Sequence, residues 1–469
     1  MNLKTNYNYL YIALFITYFF LWSLNFDSFL MGLGYTETEI RKIENFVLFS
    51  PKYFKFISFK YIIVFLTLPI FYKFIKEKKI SIYKLFNNQK YIIFLVAFIV
   101  MHFFLVNILY NEVISKYEIF NLAFLVLLTL IYSHYRNFLA DNIEKIIFLY
   151  LIFFVLYSFF ENSVAPFTGE CNSKFFLTDF IQNSLKFNLS NSFYYENSHL
   201  AMMMVGVIFT TLFILINKKI NVFYYCLFFI SVLITLINYS TTFAICYFIC
   251  QTTLFLFFYK KATKTFWVIS ILFLLFNSAI FFGDKHCSKK VAQFDIMDVK
   301  NNKLSKRVND EDVLKSRNFY DMNQYNEISK NLTTLIYERG FTVIIHTFSN
   351  RLLGWGNDGM DNATINYINR NEKICGKDIF PCARHINLKD GLSNLIKILT
   401  EFGIFSFILL YFFIKYLIKI KKLTPYNIFV ITLFITMSIR GAGYFNGAFI
   451  FCVLEFFYLK EFKKNESTI

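Results

Sequence analysis

Apolar residues occur in long runs along most of the chain, and short polar connectors separate these runs. A run of about 20 apolar residues is long enough to cross a hydrocarbon core of about 30 Å as a helix. The first run is too long for a signal peptide and lacks a small-residue cleavage pattern, so we interpret it as a retained span. The pattern predicts an all-α, polytopic integral membrane protein of about twelve transmembrane helices. The predicted spans are 8–26, 57–75, 91–110, 118–134, 146–160, 198–216, 221–238, 240–259, 265–282, 391–418, 426–440 and 444–459.

One long polar segment, 284–390, interrupts this pattern between the ninth and tenth spans. It divides the chain into spans 1–9 (1–283, with outer loops 27–56 and 161–197), the large loop, and spans 10–12 with a tail (391–469). Within the loop, apolar residues recur at three- and four-residue intervals, which predicts a helix. The helix is expected to stop at Gly354-Trp355-Gly356, where glycines relax the backbone and permit close approach to a ligand.

Composition and charge agree with a membrane protein and indicate its orientation. Hydrophobic residues make up 57% of the chain, which includes 65 Phe and 32 Tyr, far more than in a soluble protein. Every second short connector along the chain, such as 71–90 and 419–425, is rich in Lys and Arg, and together these connectors hold most of the Lys and Arg found between spans. The positive-inside rule therefore predicts cytoplasmic termini and places the large loop outside. The net charge of +17 is explained by this bias and by attraction to anionic lipids; no nucleic-acid-binding module is recognisable.

The cysteines divide according to this topology. Four in spans are expected to be small packing residues: Cys226, Cys246, Cys250 and Cys452. Four lie in outer loops, where disulfides form: Cys171, Cys287, Cys375 and Cys382. Cys375 and Cys382 bracket a turn-like segment and are the disulfide candidates, although sequence does not determine connectivity. The six histidines show no metal-ligand spacing, so no metal site is predicted.

Three short elements resemble the O-antigen polymerases and ligases. Glu338-Arg339, about a dozen helical residues and then Leu353–Gly356 resemble the arginine–helix–GxG pattern in their large late periplasmic loop. The segment 395–404 resembles the start of their next span. Tyr195–Ala201 is similar to an E-P-S-x-x-A element of many polymerases, with Asn197 in place of the proline. The resemblance covers roughly residues 140–460.

The resemblance implies an activity, a location and partners. Such an enzyme joins undecaprenyl-pyrophosphate-linked oligosaccharide repeat units into O-antigen or capsule-type polysaccharide at the periplasmic face of the bacterial inner membrane. It would be a glycosyltransferase of lipopolysaccharide or polysaccharide biosynthesis that uses neither metal nor cofactor. Its expected partners are carrier-linked glycans, the bilayer and a protein that regulates chain length.

The chemistry favours arginine, since cleavage of the sugar–pyrophosphate bond leaves a multiply charged anion. A guanidinium stays protonated and binds phosphate oxygens bidentately. Arg339 is the first candidate, followed by Arg351 and Arg440. Arg351 could instead cap or solvate the loop helix, and Arg440 could extend to lipid headgroups.

Carboxylates, glycines and histidines complete the candidate set. Glu196 and Asp390 are candidate catalytic carboxylates, although Glu196 also suits a helix N-terminus and Asp390 also suits an N-cap. The candidate substrate-binding residues, besides the arginines, are Gly354, Gly356, His199 and His385. His199 is equally explained as a packing or interfacial histidine.

Other functions remain open on the sequence. A ligase, which would transfer glycan to a lipid A–core acceptor, typically carries a histidine just before the span that follows the large loop. In this chain His385 lies about two helical turns too early, which favours a polymerase. A different lipid-linked-sugar glycosyltransferase could use Asp27 after the first span. A polysaccharide-unit transporter would fit the span count, but the spans lack mid-membrane charges.

Overall fold

A computed structural model describes most of the apolar segments and part of the large loop. The described residues are 3–21, 66–70, 90–110, 116–164, 197–218, 220–237, 240–282, 332–357, 359–371, 393–441, 443–444 and 447–458. Every regular element among them is a helix, and these residues include no strand. The all-α class is therefore confirmed for the described part of the chain.

Thirteen α-helices follow one another along these residues. They are α1 (Leu3–Phe20), α2 (Lys90–Tyr110), α3 (Lys116–Val164), α4 (Asn197–Asn217), α5 (Val222–Ile237), α6 (Thr241–Phe258), α7 (Lys264–Phe282), α8 (Leu332–Asn350), α9 (Met360–Arg370), α10 (Asn394–Phe402), α11 (Ser406–Lys419), α12 (Pro425–Ile439) and α13 (Phe449–Phe457). A 3₁₀ turn, Gly403–Phe405, joins α10 to α11.

Several helices are long and apolar enough to cross a bilayer. Four segments of the described chain meet both criteria: Ile92–Tyr110, Ser198–Asn217, Thr241–Phe258 and Asn394–Lys419. Shorter apolar helices accompany them at Tyr9–Phe20, Val222–Leu236, Lys264–Ala279 and Pro425–Ile439. These features are consistent with a helical membrane protein, while the twelve crossings predicted from sequence stay a prediction.

Helix α4 lies at the centre of the bundle and is buried over most of its length. It packs most extensively against α12, and a Cβ on Gly206 would lie 3.4 Å from the Thr432 hydroxyl oxygen. A small residue at such a contact allows two membrane helices to approach closely. On another side of α4, the ring of Phe209 stacks on Tyr247 of α6, with 4.5 Å between centroids. Three of the four cysteines expected to pack within spans are buried, whereas Cys226 is exposed.

Helix α3 differs from the sequence-based expectation. Two spans, 118–134 and 146–160, were predicted with a turn between them, but the structure has one continuous helix of 49 residues. The intervening residues 135–145 contain neither Gly nor Pro, so no residue there stops a helix. Two of their charged side chains are paired with other helices: Arg136 with Glu455 at 2.9 Å and Glu144 with Lys218 at 2.6 Å.

These ion pairs mark one end of the bundle, which we call the basic end. Arg136 lies there against the ring of Tyr458, and the ammonium of Lys261 donates to the carbonyl oxygen of Ile420. Glu455 is fully buried and accepts hydrogen bonds from the hydroxyls of Tyr132 and Tyr426. The connectors that meet at this end belong to the set in which the sequence concentrates Lys and Arg.

The opposite end of the bundle, which we call the site end, joins α4, α8, α10 and α12. The Arg440 Nε atom donates to the Ser198 hydroxyl at 3.2 Å, and the Tyr337 hydroxyl donates to the Ile439 carbonyl at 2.6 Å. The Ser393 hydroxyl donates to the Ser438 carbonyl at 2.6 Å. Tyr337 of the large loop and the outer ends of the predicted spans 198–216, 391–418 and 426–440 thus meet here.

The two ends predict a labelling pattern. We expect Leu352→Cys, half exposed at the site end, to react with a membrane-impermeant maleimide in intact cells. Ala262→Cys, at the basic end, should react only after permeabilisation, because the positive-inside rule places it in the cytoplasm. The sequence extends the same expectation to residue 320 (outside) and residue 80 (inside). The unsubstituted protein supplies the background, and the reverse pattern would place the site on the cytoplasmic side.

Candidate functional site

The site is organised around a break in the apolar segment 394–419. Sequence predicts one continuous span at 391–418, but the helix is interrupted at Gly403, whose φ is +53°. Ser393 is the N-cap of α10, and its hydroxyl accepts from the backbone N–H of Ile396. An interrupted helix leaves backbone groups that need new hydrogen-bond partners, especially in a membrane.

Residues 351–359, which we call the docking loop, supply these partners. The N–H of Trp355 donates to the carbonyl oxygen of Thr400 at 3.1 Å, and the N–H of Gly356 donates to that of Glu401 at 3.0 Å. In return, the N–H of Ile404 donates to the carbonyl oxygen of Leu352 at 2.9 Å. The docking loop and the helix break therefore complete each other's backbone hydrogen bonding.

Glycines make this close approach possible. Gly354 and Gly356 have φ values of +85° and +81°, a region that L side chains rarely adopt. A Cβ on Gly354 would also overlap the backbone of Glu401. Helix α8 ends at Asn350, four residues before the stop predicted at Gly354. The expected close approach is observed, but its partner is the protein's own backbone; contact with a ligand stays a prediction.

Side chains fix the docking loop to α2 and α8. The indole N–H of Trp355 donates to the Thr347 hydroxyl at 3.1 Å, and a ring nitrogen of His102 lies 2.8 Å from the Leu353 carbonyl oxygen. The guanidinium of Arg351 lies 3.9 Å from the Trp355 ring centroid and 4.4 Å from that of Tyr110. Such cation–π contacts orient the guanidinium, so Arg351 helps to anchor the loop.

Arg339 lies on the buried face of α8 and is only 3% exposed. Residues three or four positions apart share a helix face, so Arg339 shares its face with Ile336 and Val343. Both of these residues and the adjacent Gly340 are also buried. This face packs on α10, where a Cβ on Gly340 would meet Ile396. Burial lowers the pKa of Arg339 to about 10, because it removes water from the charged form. The side chain stays protonated at neutral pH and presents a partly desolvated positive charge.

Arg440 lies beside the start of α4 and beside Tyr337 of α8. Burial raises the pKa of Tyr337 to about 12, and the nearby positive charge of Arg440 acts in the opposite direction. Ser198, the hydrogen-bond partner of Arg440, belongs to the element 195–201 that the sequence singled out, and His199 is its neighbour in the first turn of α4. The structure therefore brings Arg440 to that element, with the Arg339-bearing helix alongside.

A buried polar cluster at α10 contains residues that sequence reasoning named only as part of a motif. Glu401 is 0% exposed and accepts a hydrogen bond from the Tyr444 hydroxyl at 2.6 Å. The ammonium of Lys397 lies 3.6 Å from the other carboxylate oxygen of Glu401 and 5.2 Å from the Tyr444 ring centroid. The sequence signal for the ion pair is the i,i+4 spacing of Lys397 and Glu401 just before Gly403. No such spacing includes Tyr444, which lies on another predicted span.

An apolar groove begins beside this cluster. It encloses about 740 Å³, including its open mouth, between α2, the start of α3, α11 and α13. Tyr444 and Asn357 contribute polar groups to its lining, which also includes Leu95, Leu409 and Phe457. The nine residues from Phe449 to Phe457 on α13 rise about 12 Å, which indicates the length of the groove.

No family model, curated protein or solved structure matches this chain. The site is therefore interpreted from its own geometry.

Several predicted positions lie outside the described residues: Glu196, Asp390, His385, Asp27, Cys375 and Cys382. Their proposed roles stay predictions. The described residues contain no group of three His, Cys, Asp or Glu side chains that could hold a metal ion.

The described part of the site combines two physical properties. Arg339, Arg440 and Lys397 bring positive charge to the site end, and Glu401 is the carboxylate ion-paired with Lys397. The groove that begins at Tyr444, the hydrogen-bond partner of Glu401, is almost entirely apolar. This arrangement suits a ligand with an anionic group at one end and a hydrocarbon chain at the other.

Proposed function

We propose that the protein polymerises undecaprenyl-pyrophosphate-linked oligosaccharide repeat units into an O-antigen or capsule-type polysaccharide on the periplasmic side of the bacterial inner membrane. The observation that carries the proposal is a buried arginine, Arg339, at the end of a bundle that also holds an apolar groove. The three motifs that resemble O-antigen polymerases supply the reaction class.

The positive charges suit the pyrophosphate of the carrier. A partly desolvated guanidinium interacts more strongly with an anion than one in water does. Burying such a charge is costly for the folded protein, so its presence favours a functional role. Arg440 adds a second guanidinium at the first turn of α4, where the helix N-terminus also favours negative charge.

The groove suits the hydrocarbon part of the carrier. Its apolar walls offer favourable burial to an isoprenoid chain. Its polar end, at Tyr444 and Asn357, lies beside the Lys397–Glu401 pair. A chain in the groove would therefore bring its phosphate groups toward the Lys397–Glu401 pair, at the same end of the bundle as Arg339 and Arg440.

The proposed reaction is a glycosyl transfer that uses the arginines. An acceptor sugar hydroxyl attacks the anomeric carbon of the donor glycan, and the bond from that carbon to the pyrophosphate oxygen breaks. The leaving pyrophosphate gains negative charge, which the arginines stabilise more strongly in the transition state than in the ground state.

A reconstitution experiment tests the proposal. We expect the purified protein, in vesicles with carrier-linked repeat units, to form a ladder of polymers, with no loss on addition of a chelator. Transfer to a lipid A–core acceptor without self-polymerisation would replace the polymerase with a ligase. Movement of intact repeat units across the vesicle membrane without any new glycosidic bond would replace it with a transporter.

A further inference from the structure

We infer that Tyr444 and Glu401 form a proton relay for the acceptor hydroxyl, with Tyr444 meeting the substrate and Glu401 receiving the proton behind it. The inference rests on the proposed function and adds to it a catalytic residue and a residue that acts through it. Neither was among the carboxylates and hydroxyls expected to act from sequence.

The geometry supplies both parts of such a relay. Tyr444 lines the polar end of the apolar groove, so its ring faces the space that a lipid-linked substrate would enter. Its hydroxyl donates to the Glu401 carboxylate over 2.6 Å, a short distance typical of a hydrogen bond to an ionised acceptor. Glu401 itself is fully buried, and its hydrogen-bond partner Tyr444 lines the groove.

Lys397 keeps the carboxylate suitable for accepting a proton. Its ammonium, one helical turn before Glu401, lies 3.6 Å from the carboxylate oxygen that Tyr444 does not engage. A buried carboxylate without a positive neighbour tends to take up a proton. The ion pair favours the ionised form, while the other oxygen accepts from the phenol.

The proton transfers balance the glycosyl transfer. As the acceptor oxygen bonds to the anomeric carbon, its proton passes to the Tyr444 oxygen, and the Tyr444 proton passes to Glu401. The electron pair of the broken carbon–oxygen bond stays on the pyrophosphate. The proton held by Glu401 then returns through Tyr444 to the departing pyrophosphate or to water, which restores the starting state.

The position of Glu401 in the fold gives the relay a defined place. The backbone carbonyl oxygen of this residue accepts from Gly356 of the docking loop, and its side chain accepts from Tyr444. The helix break at Gly403 follows two residues later. Backbone and side-chain bonds together restrict the carboxylate to one orientation, as general acid–base catalysis requires.

The test compares rates in the reconstituted polymerase assay. We expect Glu401→Gln, which keeps the shape and still accepts from Tyr444, to lower kcat about 100-fold with the donor KM changed less than about twofold. Tyr444→Phe should lower kcat similarly while leaving the Lys397–Glu401 pair in place. The double variant should be no slower than either single variant, because residues that act as a unit are not additive.

A matched control is available at the basic end. Glu455 is also a buried carboxylate bonded to tyrosine hydroxyls, so Glu455→Gln makes the same chemical change at the opposite end of the bundle from the Tyr444–Glu401 pair. It should lower thermal stability but leave kcat per folded molecule unchanged. If Glu401→Gln reduces the amount of folded protein, Tyr444→Phe decides the question.

Wild-type kcat in Tyr444→Phe, or a loss in Glu401→Gln that only follows the loss of folded protein, would overturn the relay while the polymerase activity stands. An unsubstituted protein that forms no polymer would overturn the relay together with the proposed function.

Discussion

Replacing Arg339 with Ala is expected to reduce polymer formation about 100-fold or more without lowering the stability of the protein. The rate should fall because a preorganised positive charge that faces a leaving anion is worth on the order of 100-fold or more. The stability should not fall, because burial disfavours the charged guanidinium, as its lowered pKa shows. Chain-length distribution on gels measures the first effect, and thermal unfolding in detergent measures the second.

Two further variants sharpen this result. Arg339→Lys should restore only part of the activity, since an ammonium carries the charge without the bidentate geometry of a guanidinium. Arg136→Ala removes a partly buried arginine at the basic end and leaves Glu455 without its ion pair. It should cost about 3 kcal/mol of stability and leave the rate per folded molecule intact. Normal long chains from Arg339→Ala at normal expression would make that arginine structural and favour the Asp27-based glycosyltransferase.

Replacing Gly354 with Ala is expected to detach the docking loop from the break between α10 and α11. The positive φ alone costs about 1–3 kcal/mol for a residue with a side chain. In addition, the new Cβ would overlap the backbone of Glu401, which cannot move without breaking its bond to Gly356. Proteolysis near residue 352 should become faster, and polymer formation should fall together with the amount of folded protein.

Gly356→Ala is the matched control for this variant. Gly356 has nearly the same φ, +81°, but its new Cβ would meet only the side chain of Val106, at 3.2 Å. The two variants therefore share the backbone strain and differ in the overlap with Glu401. We expect Gly356→Ala to be clearly milder. Equal damage from both would show that backbone conformation, rather than the contact with the helix break, determines stability here.

Helix positions in the middle of the chain were predictable because hydropathy alone defines them. The apolar segments predicted at 198–216 and 240–259 correspond to helices Asn197–Asn217 and Thr241–Phe258. Long apolar runs bounded by polar residues leave little freedom to place a helix end. In contrast, the polar stretch 135–145 was interpreted as a turn, although its residues are compatible with a helix and the structure continues α3 through them.

The break at Gly403 shows where hydropathy gives no information. A glycine within an apolar run is compatible with a continuous helix. Here it takes a positive φ because the docking loop bonds to the backbone on both sides of it. Those partners lie about 50 residues earlier in the sequence, and no local pattern records the pairing. The resemblance had marked both segments, at 353–356 and 395–404, without indicating that they touch.

The candidate site also divides into residues that the sequence predicted and contacts that it did not predict. Arg339, Arg351 and the two glycines were predicted from motifs, and Arg440 from its position at the outer end of a predicted span. The structure gives Arg351 an anchoring contact with two aromatic rings. The pairing of Glu401 with Tyr444 was not predictable, because it joins α10 to the connector before α13 across 43 residues. Buried polar pairs of this kind depend on tertiary packing rather than on spacing along one helix.

The mutual bonding of the docking loop and the helix break has a consequence for exchanging parts between proteins. A chimera that receives a foreign outer loop would lose the N–H groups that bind Thr400 and Glu401 unless the new loop reproduces the same backbone path. Residues 351–359 and 393–405 therefore form one transplantable unit, despite their separation in the gene. An exchange intended to change specificity should move both segments together, because either segment alone would lack its backbone hydrogen-bond partners.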